Sequence, residues 1–395
     1  MPAVSAPIDL DWSPILADLG LPADALEGSR AAAADTASLA LSSRSGASGI
    51  LAEAKSSLGA AGAVLLVLEG QPDDAELARW RNDLWPLLHV VAIYELGDPL
   101  VRRSLQGRTK LGACPGSGTV MAMRRVSHVM SPEATREKFD QNASGWNGEP
   151  GGPGYPHFRW MRKLVGKFAP AADGQRIIDF GCGAGWVGIE AAAGHKNIAL
   201  AAFDPSPEMV KIAAANAAKE GVTDFTGRVG FGEAPPFPAE GEEPFDLVIS
   251  SGVVSFSPDF EAWMRGLVRC CKPGGTLVVG DINPDSRGFH RRRGAKPILP
   301  IRELNGRRPS ELRTWLEARG FVHKQTVGYQ ATWPMPQIMQ VNETKLGGLL
   351  SHPLVWANAG LTAIDRMSGN GLASQFDSWV MEFDVPTGWD PSTLG

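Results

Sequence analysis

The sequence carries no excess of basic charge: Lys and Arg number 38 against 43 Asp and Glu, a formal net charge of -5 at neutral pH. General nucleic-acid binding needs a basic surface to neutralise phosphates, so that class of partner is not expected. Cysteine is scarce. The four present (Cys114, Cys182, Cys270, Cys271) have none of the spacings that hold a structural metal. Cys270 and Cys271, adjacent in an expected helix, are badly placed to bond to each other. This pattern suits a reducing cytoplasm and no metal site. Long apolar runs are missing too. AGAVLLVLEG at 61–70 is among the longest, well short of the ~20 residues that span a bilayer. The N-terminal MPAVSAPIDLDWSPILADLG has neither a basic n-region nor a long apolar h-region, so no secretory leader is expected. No internal repeat is visible.

What is present points to an α/β protein of more than one domain. At 395 residues the chain is long for one core. Its 43% hydrophobic and 21% charged residues are the composition of a soluble globular protein. Residues 1–60 are rich in alanine and serine and read as helical where ordered. AVLLVLE at 63–69 is a buried-strand run, and PDDAELARWRNDLWPLL, with an acidic first turn and helical apolar spacing, predicts a helix. HVVAIYEL and GTVMAMRRV read as strands, so 61–127 is expected to form a small α/β unit. SGWNGEPGGPGYPHF at 144–158 holds five glycines and three prolines, which predicts a connector or mobile loop with no regular element. Beyond it, strands and helices alternate from RIIDF at 176–180 to GTLVVGD at 275–281, the pattern of a parallel sheet with helices on both faces.

RIIDFGCGAGWVGIEAAA at 176–193 carries two overlapping glycine patterns. From Asp179 it reads D-x-G-x-G-x-G, through Gly181, Gly183 and Gly185. From Gly183 it reads G-x-G-x-x-G, ending on Gly188. Either puts a sharp turn between a strand and a helix N-terminus that faces a ligand with free N–H groups. Either also expects a ribose-binding acid about 20 residues on, and Asp204, closing IALAAFD, supplies it. Three other features separate the two. A dinucleotide fingerprint starts directly after the strand, whereas Gly183 is the second glycine past it; Asp179 would repel a pyrophosphate but suits a cationic ligand. The next helix opens DPSPEMV, with Ser206 as N-cap, Pro207 at the first position and Glu208 at the positive end of the dipole. Finally, FDLVIS is followed about 30 residues later by KPGGTLVVGD.

Together the pieces IIDFGCGAGWVG, AAFDPSPEMVKIA, FDLVISSGVVSF and KPGGTLVV, in this order over 176–281, resemble class I S-adenosylmethionine-dependent methyltransferases of the small-molecule type. The resemblance implies a Rossmann-like, doubly wound seven-stranded sheet whose last strand is antiparallel, here preceded by a smaller α/β N-terminal domain. It implies S-adenosylmethionine as cofactor and S-adenosylhomocysteine as product. By similarity, the loop of Gly181, Cys182, Gly183 and Gly185 passes under the methionine part of the donor. Asp179 holds its amino group, with a helix cap as the alternative reading; Asp204 holds the ribose and Pro205 lies near the adenine. Glu233 and Ala234 fill the places that meet the adenine amino group, unless Glu233 is a solvated loop residue. Ser250 and Ser251 close the fourth strand at the reaction site. Many relatives carry one or two His just beyond. This chain has Ser255 and Phe256 there, which removes the commonest proton acceptor and leaves the acceptor atom open among O, N, S and C.

Tyr155 and His157, on the glycine-rich segment before the first strand, are the candidates for touching donor or substrate, because the equivalent segment in relatives folds over the donor; packing of the connector is the competing reading. Arg287 to Arg313 holds nine Arg or Lys and two acids. In this fold that segment often walls the acceptor pocket, so Arg291, Arg292 and Arg293 are substrate-binding candidates for a carboxylate or phosphate, or else a solvated face. The expected domains are 1–130, a connector or lid at 131–158, and a methyltransferase domain at 159–395 with an apolar insertion at about 335–372 that covers the pocket or forms an oligomer contact. The expected function is methyl transfer to a small metabolite in the cytoplasm, with a homodimer through the N-terminal domain as one guess at that domain's role. A lipid or protein acceptor, or a non-catalytic donor-binding protein, are the alternatives.

Overall fold

A computed structural model of the chain describes residues 10–26, 36–85, 87–105, 107–126, 130–147, 156–332 and 345–391, without the side chains of 142, 156–161, 292, 293, 295 and 345–355. It divides into two compact units, Met1–His128 with Arg291–Leu304, and Val129–His290 with Asn305–Gly395.

In the first unit, helices α1 (Ser13–Asp18), α2 (Gly46–Ser57) and α3 (Asp74–Leu84) accompany six strands, β1 (Leu39–Ser42), β2 (Val64–Leu68), β3 (Leu88–Gly97), β4 (Val101–Ser104), β5 (Gly107–Lys110) and β6 (Cys114–Arg125). The sheet runs β1-β2-β6-β3-β4-β5. β2 reads as an unbroken apolar run because both faces are covered. Val64 and Leu66 join one core with Ile50 and Leu77, while Leu65 joins another with Ile15 and Tyr94. α3 starts where Asp73 accepts a hydrogen bond from the Glu76 N–H (2.7 Å). Ile298, far along the chain, completes the first of these cores. Chain order gave no sign of this. β1, β4 and β5, four residues each, are too short to stand out in the sequence.

The second unit begins with α4 (Pro132–Asn147) and α5 (Pro156–Phe168), then β7 (Arg176–Phe180), α6 (Trp186–Ala192), β8 (Ala199–Asp204), α7 (Pro207–Lys219), β9 (Phe225–Val229), β10 (Phe245–Ser251), α8 (Phe260–Arg269) and β11 (Cys271–Ile282). There follow α9 (Arg287–Ala295) and α10 (Ile301–Leu304), within or bordering the stretch assigned to the first unit, then α11 (Pro309–Glu317), β12 (Val322–Ala331), α12 (Lys345–Met367) and β13 (Phe376–Asp384). The seven strands lie in the order β12-β13-β11-β10-β7-β8-β9. β7 to β11 pair in parallel, and β13, the last strand, runs antiparallel to both β11 and β12. From β7 the chain winds outward through β8 and β9 and then crosses back to β10. The crevice outside the carboxyl ends of β7, β8 and β10 is therefore the topological switch point where such sheets bind ligands.

Two expectations need correction. Residues 144–147 finish a 16-residue helix, α4, and 156–158 begin α5, where no regular element was expected; residues 148–155 lie outside the described residues. Glycine and proline counts blurred a helix whose apolar face is supplied by Phe139 and Trp146, ring centroids 5.8 Å apart. Cys270 caps α8 and Cys271 opens β11, so the pair sits at a helix–strand junction and not within a helix. The apolar insertion is largely α12. Its buried Asn358 and Asp365 accept the N–H groups of Ala331 (2.5 Å) and Gly328 (2.9 Å) from the edge strand β12. Its outer face leaves Trp356, Ile364 and Met367 exposed. No helix among the described residues is long and apolar enough to cross a membrane.

Candidate functional site

Between Phe180 and Trp186 the chain turns on Gly181 and Gly183, both at left-handed φ (75° and 50°). A side chain on Gly181 would lie 2.7 Å from both Val253 methyl groups, whereas one on Gly183 would meet nothing within 4 Å. The loop is pinned by backbone. The Cys182 N–H donates to Phe203 O (2.8 Å), and the Gly183 N–H donates to Asp204 Oδ2 (2.9 Å). Asp204 Oδ1 accepts from the Ser206 N–H (3.0 Å), so one carboxylate ties the loop after β7 to the loop after β8. Ser206 caps α7 as its sequence position predicts, accepting from the Met209 N–H (3.1 Å).

Asp179 Oδ2 accepts the Gly188 N–H (2.8 Å), an N-terminal cap of the kind weighed for it. A carboxylate offers about four acceptor positions, so this does not exhaust it. Asp179 and Asp204 are both buried. Burial pushes the Asp179 carboxyl up to about 7 and that of Asp204 up to about 6. The hydrogen bonds from the loop, and for Asp179 the Arg162 guanidinium, offset only part of this. Two buried acids flanking a glycine loop favour a ligand that brings positive charge or hydroxyl donors.

Ser250 Oγ donates to Phe180 O (2.9 Å), and Ser251 meets Arg162, whose Nη1 donates to both Ser251 O and Ser251 Oγ at 3.2 Å. Glu233, half-buried, accepts from Ser257 Oγ (2.5 Å) and lines a cleft with Phe203, Pro205, Phe256, Trp263 and Thr135. Ala234 is exposed. Cys182 is buried, and burial raises its thiol pKa well above normal, so it packs as a small apolar residue. Ser255, where relatives place histidine, gives its N–H and Oγ to Asp281 Oδ2 and Oδ1 (both 2.9 Å). Tyr155 lies outside the described residues, as does the side chain of His157 at the start of α5. Arg291 is exposed in the stretch that groups with the first unit; the side chains of Arg292 and Arg293 lie outside the described residues.

Several contributors escaped the sequence reading. Asp140, on α4, accepts from Ser206 Oγ (2.5 Å), and Thr135 and Pro132 of the same helix line the cleft. Asn216 Nδ2 donates to Ala184 O and Asn147 Oδ1 (2.8 Å each), fastening α7 to the glycine loop and to the end of α4. Arg162 stands 89 residues from Ser251. Gly252, at φ 75°, leaves room for that guanidinium. Only the helical apolar spacing around Phe139 and Trp146 could have announced α4; nothing local marks the others.

The strand order, the glycine loop at the switch point and the acid closing β8 agree with the class I methyltransferase fold expected for the second unit. Residues 156–325, under half of the chain, match the family model described as a methyltransferase domain. A Mycobacterium bovis protein of uncharacterised function is 34% identical over 119 residues, 30% of this chain and 40% of that protein. The chain thus spans well under half the length of that relative. The ubiquinone biosynthesis O-methyltransferase of Xylella fastidiosa is 29% identical over 195 residues, 47% of this chain and 76% of that one. Among solved structures, phosphoethanolamine N-methyltransferase 2 of Haemonchus contortus, in complex with S-adenosylmethionine, aligns at 16% identity over 88% of this chain and 85% of its own, with a TM-score of 0.40.

Proposed function

We propose that the chain transfers a methyl group from S-adenosylmethionine to a small metabolite, an anionic one being the class suited to the basic stretch Arg287–Arg313. The observation that carries the donor assignment is the pair of buried carboxylates, Asp179 and Asp204, on either side of a glycine loop with open space at Gly183. That set fits the donor group by group. Asp179 would take the ammonium, Asp204 the ribose hydroxyls, Arg162 the carboxylate, and the cleft of Phe203, Pro205 and Phe256 the adenine, with Glu233 at its edge. When bound, S-adenosylmethionine supplies a methyl group on a positively charged sulfur, open to in-line displacement by an acceptor lone pair.

The protein's part is to position and to keep dry. The backbone of Gly181–Gly185 and the two carboxylates fix the donor end. α4, held by Asp140 and Asn147, covers the cleft with Thr135 and Pro132. Ser255 is committed to Asp281, so a hydroxyl or ammonium acceptor would lose its proton to another group, for which Tyr155 and His157 are the candidates. A thioether acceptor would need no base.

Calorimetric titration of the protein with S-adenosylmethionine, S-adenosylhomocysteine and NADH tests the donor, with Asp204→Asn as control. The expected result is binding of both adenosyl compounds, no binding of NADH, and weakening in the variant. Binding of NADH alone would refute the reading. An acceptor screen starting with small carboxylates and phosphates follows. Tight donor binding with no turnover on any acceptor, lipids and peptides included, would favour a non-catalytic role.

A further inference from the structure

We propose that Tyr329, acting through Ser251, is a positioning residue that holds the Arg162 guanidinium in place to receive the donor's carboxylate. This rests on the reading of the cleft as an S-adenosylmethionine site.

Three residues from distant parts of the second unit form one chain of polar contacts. Tyr329, on β12, and Ser251, at the end of β10, are both buried, and Tyr329 OH lies 3.2 Å from Ser251 Oγ. β13 and β11 stand between these strands in the sheet, so the contact belongs to the tertiary fold alone. Ser251 Oγ and O in turn accept from Arg162 Nη1, each at 3.2 Å. The guanidinium then occupies space that any side chain at the next residue would fill. A Cβ on Gly252 would stand 2.6 Å from Nη1 and 2.9 Å from Nη2.

A serine hydroxyl has one proton and two lone pairs and rotates freely unless partnered. With Tyr329 on one side, its lone pair is fixed toward Arg162, and the fork is set in one orientation. Arg162 also acts electrostatically on the buried Asp179. A cation and an acid that act on one another at one end of the sheet match the zwitterionic head of an amino acid, carboxylate to Arg162 and ammonium to Asp179. The polar contacts lie at the long end of the hydrogen-bond range. A planar, five-donor fork gains most from being held in advance, since a bidentate pair depends on orientation.

The test is a titration with two probes that share adenosine and a thioether but differ in the head: S-adenosylhomocysteine, and 5′-methylthioadenosine, which has no amino-acid carboxylate. Tyr329→Phe is expected to weaken S-adenosylhomocysteine about 3- to 10-fold, the worth of one hydrogen bond. It should leave 5′-methylthioadenosine unchanged. Arg162→Gln should cost more, and Tyr329→Phe added to it should cost nothing further. Ser251→Ala should reproduce the head-selective loss, which guards against a folding defect in the tyrosine variant. Equal weakening of both probes, or additive losses in the double variant, would assign Tyr329 to packing and overturn the proposal. If the wild-type protein binds neither probe, the cofactor reading fails first and takes the proposal with it.

Discussion

Gly181 and Gly183 share a loop and a left-handed backbone, at φ 75° and 50°, so alanine at either carries a similar conformational cost of about 1–2 kcal/mol. What the new methyl group meets differs. At position 181 it would stand 2.7 Å from both Val253 methyls, and a buried overlap of that kind adds about 1–3 kcal/mol. Gly181→Ala should therefore lose about 2–5 kcal/mol of stability. Gly183→Ala should lose only the backbone share, because its methyl meets no protein atom within 4 Å. For a domain of this size that is a fall in melting temperature of roughly 2–8 °C. Donor binding should rank the two differently in proportion. The open side of Gly183 is where the proposed function puts the methionine part of the donor, and one methyl in the way of a close-fitting ligand should weaken it at least about 10-fold, the effect of displacing a single good contact. Scanning fluorimetry gives the stabilities and calorimetry with S-adenosylhomocysteine the affinities. A Gly183→Ala protein that binds as the wild type does would remove the donor from this side of the loop. A Gly181→Ala protein as stable as wild type would mean that Val253 gives way freely.

Two further outcomes follow from the same site. The Asp179 and Asp204 carboxyls, raised to about 7 and about 6, hold protons more tightly in the folded chain than in the unfolded one, where the ordinary value is about 3.9. Their burial cost is therefore absent at pH below about 4 and fully present above about 7, so this contribution lowers the stability of the ligand-free protein as pH rises through that window. A cationic donor favours the ionised forms, and the melting shift produced by S-adenosylmethionine should grow between about pH 5.5 and 8, that window's upper part and just beyond; a shift independent of pH would separate the donor from these acids. Asp140→Ala removes the acceptor for Ser206 Oγ, a partly exposed contact worth about 1 kcal/mol. Hydrogen exchange should then quicken across α4 and leave β7 and β10 as protected as before, whereas unchanged exchange in α4 would show that its apolar face alone holds it.

Local chemistry made much of this protein legible in one dimension. The alternation from Arg176 to Asp281 encodes a parallel sheet because strand and helix periods differ, and residues that must be buried on both faces of a strand leave an unbroken apolar run. The left-handed turn glycines and the Ser206 cap are likewise short-range requirements, each written within a few residues of where it acts. Proline and glycine between 144 and 158 hid α4, since composition averages over a helix end and the loop beyond it.

What the tertiary structure alone decided are contacts between residues far apart in the chain. Asp140 reaches Ser206, Asn216 joins Ala184 to Asn147, and Arg162 meets Ser251 because α4, α5 and α7 pack around the ends of β7, β8 and β10. The stretch Arg291–Leu304 groups with the first unit although the second unit surrounds it in sequence. No periodicity records such pairs: each partner satisfies its own local rule as a helix or strand residue, and the pairing exists only once burial has brought the elements together and left their polar atoms to find one another.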